Sequence, residues 1–255
     1  MGSISVRRHI QWGTEPPSEP TSTLVLTSPG RRFFVDVRVL KATSPSPGSV
    51  PGSVPGSVTG PDHDTSASLP IDSLDWAFAG TSSTTKTLGQ DGSDTTHSVF
   101  NHWVDSRTTE PQLVRDEGDM TAHPGGLALE VGTMINPATG RMTAYEELWS
   151  DEAPVPVRAQ DPTCVVFRLL DGPASKRGQF ILLGRYAQGV LRVGDTFTAE
   201  RWVWSERQGR WKQTLKVGDN HEPLGFLIDG APRPDKVGDS LQGSAGTWTV
   251  VEYCQ

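Results

Sequence analysis

Cysteine is nearly absent from this chain. Cys164 and Cys254 are the only two in 255 residues, too few for a disulfide framework and without the spacing of a structural zinc site. Reduced thiols are therefore expected. An excess of basic charge is missing as well: the formal net charge is −7 with a pI near 5.4, and Lys and Arg are scattered, so the footprint of a nucleic-acid binder is lacking. Long apolar runs do not occur. The longest, around Phe180-Ile181-Leu182-Leu183, falls far short of the about 20 residues that cross a bilayer as a helix. The residues after Arg7-Arg8 lack the apolar region of a secretory signal. Neither a membrane nor a nucleic-acid partner is expected, and a cytoplasmic or nucleocytoplasmic location follows. Helical periodicity is also absent, since no stretch carries a convincing amphipathic 3.6-residue pattern.

Alternation at period two is what the chain has instead. Residues 4–12, 23–27 and 32–40 read as three strands separated by Pro, Ser and Gly, with Phe33, Val35, Val37 and Val39 on one face of the third. Leu74-Asp75-Trp76-Ala77-Phe78-Ala79-Gly80-Thr81 reads as a strand entering a turn, its Trp76 and Phe78 on one face and Ala77 and Ala79 leaving room on the other. Further strands follow at short intervals as far as residues 247–253. Such a series, with turns about every 8–12 residues, predicts an all-β fold of barrels or sandwiches.

Two interruptions organise the series. Pro47-Gly48-Ser49-Val50 recurs as Pro51–Val54 and Pro55–Val58 within a Ser/Thr/Pro/Gly run over residues 43–68. Proline removes ladder donors and glycine adds backbone entropy, so a flexible loop inserted between strands is expected there. A second break at residues 150–161, containing Asp151-Glu152-Ala153-Pro154-Val155-Pro156, divides the chain into residues 1–150 and 151–255.

Five segments in order carry a resemblance: Leu74 to Thr81, Phe100-Asn101-His102-Trp103, Glu147-Leu148-Trp149, Gly184-Arg185-Tyr186-Ala187-Gln188-Gly189, and Trp248 to Tyr253. Together they resemble the fungal HRI family, the Hrr-kinase-interacting proteins, over nearly the whole chain. The Pro-Gly-Ser-Val insertion departs from that pattern. The resemblance implies two lipocalin-like β-barrels in tandem, one in residues 1–150 and one in residues 151–255. It also implies a casein-kinase-I-type partner. The Gly-x-Trp signature of true lipocalins is missing, Gln11-Trp12-Gly13 standing in the first strand.

Catalytic and cofactor motifs are lacking: there is no Gly-x-Ser-x-Gly elbow, His-Glu-x-x-His helix, phosphate loop or dinucleotide fingerprint in the required context. No cofactor is expected. His97 and His102 fall on opposite faces of a regular strand, which disfavours a shared metal, and Asp116, Glu117 and Asp119 read as a solvated turn more readily than as a cation loop. Glu146 and Glu147 face opposite sides, so they cannot act as a carboxylate pair.

Candidate pocket residues come from shared faces. Tyr145, Glu147 and Trp149 lie together, as do Glu200, Trp202 and Trp204, while Tyr186 and Gln188 lie opposite Arg185; His102 is added from the aromatic strand of the first half. Either these groups line a small-molecule site, or the tryptophans fill the core and Arg185 pairs with a carboxylate. The denser alternation places the expected site in the second half. Two functions remain open. One is non-catalytic binding of a small apolar ligand, a protein partner or both; the other is a cofactor-independent isomerase or cyclase acting on a small metabolite inside a barrel, as in fungal secondary metabolism.

Because Pro, Gly and Ser supply too little burial to offset ordering entropy, replacing residues 43–68 with a short linker is expected to leave the melting temperature nearly unchanged. Loss of cooperative unfolding in a thermal melt would contradict this.

Overall fold

A barrel wall buried on both sides organises the fold. In the computed structural model, which describes residues 2–42, 68–88, 94–170, 175–218, 223–229 and 233–255, eight antiparallel strands run in sequence order. They are β1 (Ser3–Trp12), β2 (Thr21–Thr27), β3 (Phe33–Leu40), β4 (Leu74–Leu88), β5 (Asp94–Asp105), β6 (Glu117–His123), β7 (Leu127–Asn136) and β8 (Arg141–Glu152). Pairing of β8 with β1 closes them into a barrel, so neither strand is left as an edge. The expected insertion over residues 43–68 lies, apart from Ser68, outside the described residues.

The second half forms a sheet of seven strands in the order β13-β12-β11-β10-β9-β15-β14. Its strands are β9 (Cys164–Leu169), β10 (Lys176–Leu183), β11 (Tyr186–Val193), β12 (Thr196–Ser205), β13 (Arg210–Val217), β14 (Ser240–Gln242) and β15 (Thr247–Cys254). The all-β expectation holds. The expected tandem of two barrels is met by one closed barrel and one sheet whose end strands, β13 and β14, do not pair with each other among the described residues. No helix among the described residues is long and apolar enough to cross a membrane.

Alternation in β3 shows how the halves join. Phe33, Val35, Val37 and Val39 point out of the barrel, where with Leu24, Leu26, Ala77 and Ala79 they pack against Val166, Ile181, Leu183, Val190, Ala199 and Val217 of the sheet. This shared layer is the main core. Polar side chains from the sheet also reach into the barrel wall. Gln188 donates to the carbonyls of Leu24 (2.9 Å) and Val35 (3.0 Å), and Gln179 donates to those of Phe34 (2.6 Å) and Gly80 (3.1 Å). The far face of the sheet has a core of its own, in which Trp248, Trp202, Phe167 and Phe180 pack under Leu224 and Leu227. The two cysteines sit opposite one another on β9 and β15, both as free thiols.

The last strand is tied to the barrel by one carboxylate. A register slip between Val250 and Glu252 is the local kink of a bulge. Glu252 accepts hydrogen bonds at 2.8 Å from Ser28 Oγ, Gly30 N and Arg31 N in the turn between β2 and β3. The residue is only 5% exposed. Bonds to a buried charge are worth about 1.5–3 kcal/mol each when a partner is removed, and such losses do not add. Glu252→Ala is therefore expected to destabilise by about 2–3 kcal/mol in urea titration, and Glu252→Gln by less. A loss below about 0.5 kcal/mol would show that the clamp is dispensable.

Candidate barrel-interior site

The inward faces of the barrel strands enclose a cavity of about 460 Å³, within the roughly 300–1,000 Å³ of small-molecule sites. Its rim is formed by exposed Thr84, Ala122, Gly126 and Asp151 together with the half-buried Arg32. Its walls include Val25, Phe34, Phe78, Phe100, Met120 and Met134, and its buried floor carries Asp36, Arg38, Asp116, Glu130, Tyr145 and Glu147. The apolar and charged parts of one strand thus serve different masters: in β3 the even residues Phe34, Asp36 and Arg38 face the cavity while the odd ones build the core outside.

The floor is an ion network. Arg38 donates to Asp36 from Nε (3.0 Å) and Nη2 (2.8 Å) and to Glu147 from Nη1 (3.0 Å). Arg7, on β1, pairs with the same Glu147 oxygen and donates to Glu19 (2.9 Å) and to Thr21 (2.7 Å). Burial alone would lower the Arg38 pKa, but Asp36 and Glu147 outweigh it and hold the group well above its ordinary value. Burial raises Asp36. The guanidinium of Arg38 also lies 5.4 Å from the Trp76 ring and 5.5 Å from the Phe78 ring, near enough for cation–π attraction.

His102 is placed by a defect in the ladder. Trp103 has no partner opposite the Ala79–Gly80 step, so β5 gains an extra residue there. His102 and Asp105, three apart, can then both point inward. The close approach requires glycine: a Cβ on Gly80 would lie 1.9 Å from the Asn101 carbonyl oxygen. The His102 ring stacks on Phe78 at 4.3 Å. Its Nδ1 lies 2.7 Å from Asp105 and its Nε2 3.0 Å from Asp116. Burial alone would lower its pKa, but the two carboxylates raise it, and in its protonated form the ring donates to an acceptor at each nitrogen. Asp116, expected in a solvated turn, is instead buried against this ring. His97 points the other way and pairs with Asp119 at 2.8 Å.

Glu130 is held by two donors, the Tyr145 hydroxyl (2.9 Å) and Trp149 Nε1 (3.0 Å). Burial, with the Glu147 and Asp116 carboxylates nearby, pushes its pKa up to about 8. The Tyr145 hydroxyl is pushed up by the same burial and by Glu130. Room for this pair comes from Gly118 and Gly132, which are directly opposed across β6 and β7. A Cβ on Gly132 would lie 2.7 Å from the Tyr145 ring, and one on Gly118 2.7 Å from Glu130 Oε1.

Of the candidate residues, Glu147 and Trp149 line the cavity of the barrel, with Tyr145 beside them as the shared face predicts, while His102 lies behind the lining against Phe78 and Asp116. The second-half candidates do not form one site. Arg185 pairs with Glu206 at 2.7 Å near the surface. Tyr186 packs against the core between barrel and sheet, and Gln188 bonds the barrel wall. Glu200 and Trp202 lie on the sheet's far face, where Glu200 accepts from Leu224 N (3.1 Å) and Gln213 (3.0 Å). Trp204 packs edge-on against Trp211. None of these six lines the barrel cavity.

A family model described as Protein HRI1 matches residues 3–252. The chain belongs to the HRI1 family. The solved structure of an uncharacterized protein, YLR301w from Saccharomyces cerevisiae, is similar over 100% of both chains, with a TM-score of 0.70 and 19% identity; at that identity the likeness is one of fold alone. No curated protein matches the chain in sequence. In this HRI1-family chain, sequence reasoning passed over Arg7, Asp36, Arg38 and Glu130. The available signal was in β3, where an Asp and an Arg alternate with four apolar residues while Phe34 shares the charged face. In β3 that second face is buried as fully as the first.

A carboxyl whose folded pKa is raised from 4.5 to about 8 stays protonated while the unfolded chain ionises. Folding stability therefore falls as pH rises through that window and the loss is complete above about 8. Glu130→Gln removes the penalty and can still pair with both neighbours, its oxygen accepting from Trp149 and its amide donating to the Tyr145 oxygen. Its melting temperature relative to the unaltered chain is expected to be near parity at the acid end and to rise steadily towards pH 8. A difference independent of pH would show that Glu130 is ionised in the folded protein.

Proposed function

We propose that this protein binds a small molecule inside its closed N-terminal barrel, without covalent chemistry, as lipocalin-like barrels do at the level of fold. One observation carries the reading. A cavity of about 460 Å³ leads from an exposed rim to a floor whose polar groups are fixed by mutual hydrogen bonds, so orientation of a guest costs little reorganisation. The apolar walls would hold the body of the ligand. The second sheet is read as the counterpart of the first barrel, opened and filled by its own tryptophans. Association with a casein-kinase-I-type partner, implied by the resemblance, has no support from a surface feature among the described residues.

A second reading, a cofactor-independent isomerase or cyclase, is favoured by Glu130. A carboxyl held protonated up to about pH 8 at the edge of a cavity is a proton donor poised near neutrality. Turnover of a bound metabolite, lost in Glu130→Gln with binding retained, would favour this reading over simple binding.

Native mass spectrometry of freshly purified protein tests the shared premise. A bound small molecule is expected, and Ala128→Trp, which places a ring in the cavity beside Trp149, is expected to expel it, while Arg185→Ala leaves it in place. Retention in Ala128→Trp, or loss in Arg185→Ala, would move the site away from the barrel.

A further inference from the structure

The hydrogen bonding of the cavity floor is unbalanced. Its cations are engaged: Arg38 donates to Asp36 and Glu147, Arg7 donates to Glu19, Thr21 and Glu147, and both nitrogens of His102 face carboxylates. One acceptor is not. Asp36 Oδ1 is buried without any hydrogen-bond partner, on a residue only 3% exposed that lines the cavity. A buried carboxylate oxygen with no donor is among the costlier arrangements in a protein interior. The oxygen lacks a donor from the protein, and Asp36 lines the cavity, so a turn of its carboxyl is enough to meet a donor there.

We propose that the barrel takes an organic cation, an ammonium group on an apolar or aromatic body, with the ammonium donating to Asp36 and the body lying along Phe34, Phe78 and Phe100. This deepens the small-molecule reading and rests on it. Charge favours the same class. Asp36, Asp116 and Glu147 line the cavity floor with Arg38, and of the cations behind them Arg7 is also shared with Glu19 and His102 with Asp105, while the rim carries one charge of each sign in Arg32 and Asp151. An anionic ligand reaching the floor would meet Asp36 and Glu147 with no unengaged cation there. The aromatic walls supply a further attraction that a neutral ligand would not feel. Phe34 stands edge-on to Phe78 at 5.7 Å and to Phe100 at 5.5 Å. A bare metal ion fits less well, because no group of three or more His, Cys, Asp or Glu among the described residues is set to hold one.

Three probes of similar size separate the classes by calorimetry on the full chain: 2-phenylethylamine, 2-phenylethanol and phenylacetate. The amine is expected to bind about tenfold more tightly than the alcohol, since its hydrogen bond to the carboxylate joins two opposite charges where the alcohol's carries one, and the acid is expected not to bind. Asp36→Asn, with folding checked by circular dichroism, should bring the amine down to the level of the alcohol. Should that variant fail to fold, the three-probe series on the unaltered chain decides. Equal binding of amine and alcohol, or preference for the acid, abolished by Ala128→Trp, overturns the cation class and leaves cavity binding standing. Binding of none of the three, with no small molecule retained in native mass spectrometry, overturns both.

Discussion

Burial of β2 to β4 on both faces is the constraint on which the rest of the structure depends. Outside, their valines, leucines and alanines share one apolar layer with the second sheet. Inside, the same strands carry Asp36, Arg38, Trp76 and Phe78 into the barrel. The outer layer holds the wall rigid, and rigidity is what lets a charged interior persist. A buried ion network is stable only when each group keeps its geometry, because one arginine without its carboxylate would be an uncompensated buried charge. The apolar layer and the ionic floor are therefore two faces of one requirement, met residue by residue along β3.

The fold class was legible from the period-two alternation, and the faces of β3, β4 and β8 were read correctly. Trp76 and Phe78 do share a face, as do Tyr145, Glu147 and Trp149. Which face was the inside could not be read from them. The apolar row Phe33, Val35, Val37, Val39 marks the core, but the core lies outside the barrel, so the charged row beside it belongs to the cavity instead of the solvent. Alternation reports that two faces differ; it does not say what covers either. For the same reason the aromatic density of β11 and β12 pointed to a site where the sheet is filled by its own side chains. His102 and Asp105 escaped periodicity altogether, because the extra residue at Trp103 resets the alternation and no local pattern signals it.

The site has a division of labour that follows from its electrostatics. Arg7, Arg38 and His102 hold carboxylates in place, and Tyr145 and Trp149 hold Glu130, so the floor is shaped before any ligand arrives. Gly118 and Gly132 act by what they omit, leaving Tyr145 room to lie across two strands towards Glu130.

The Glu252 clamp ties residues separated by more than 220 positions in the chain, 222 from Gly30 and 221 from Arg31. During translation at about 5–20 residues per second, the turn between β2 and β3 waits roughly 10–45 s before its partner is made. For the first part of that interval, until β9 to β13 have been made, the outer row of the barrel has no sheet to cover it. The nascent chain thus carries an adhesive apolar wall between the making of β4 and of the second sheet, the kind of transiently exposed surface through which unfinished chains stick to one another.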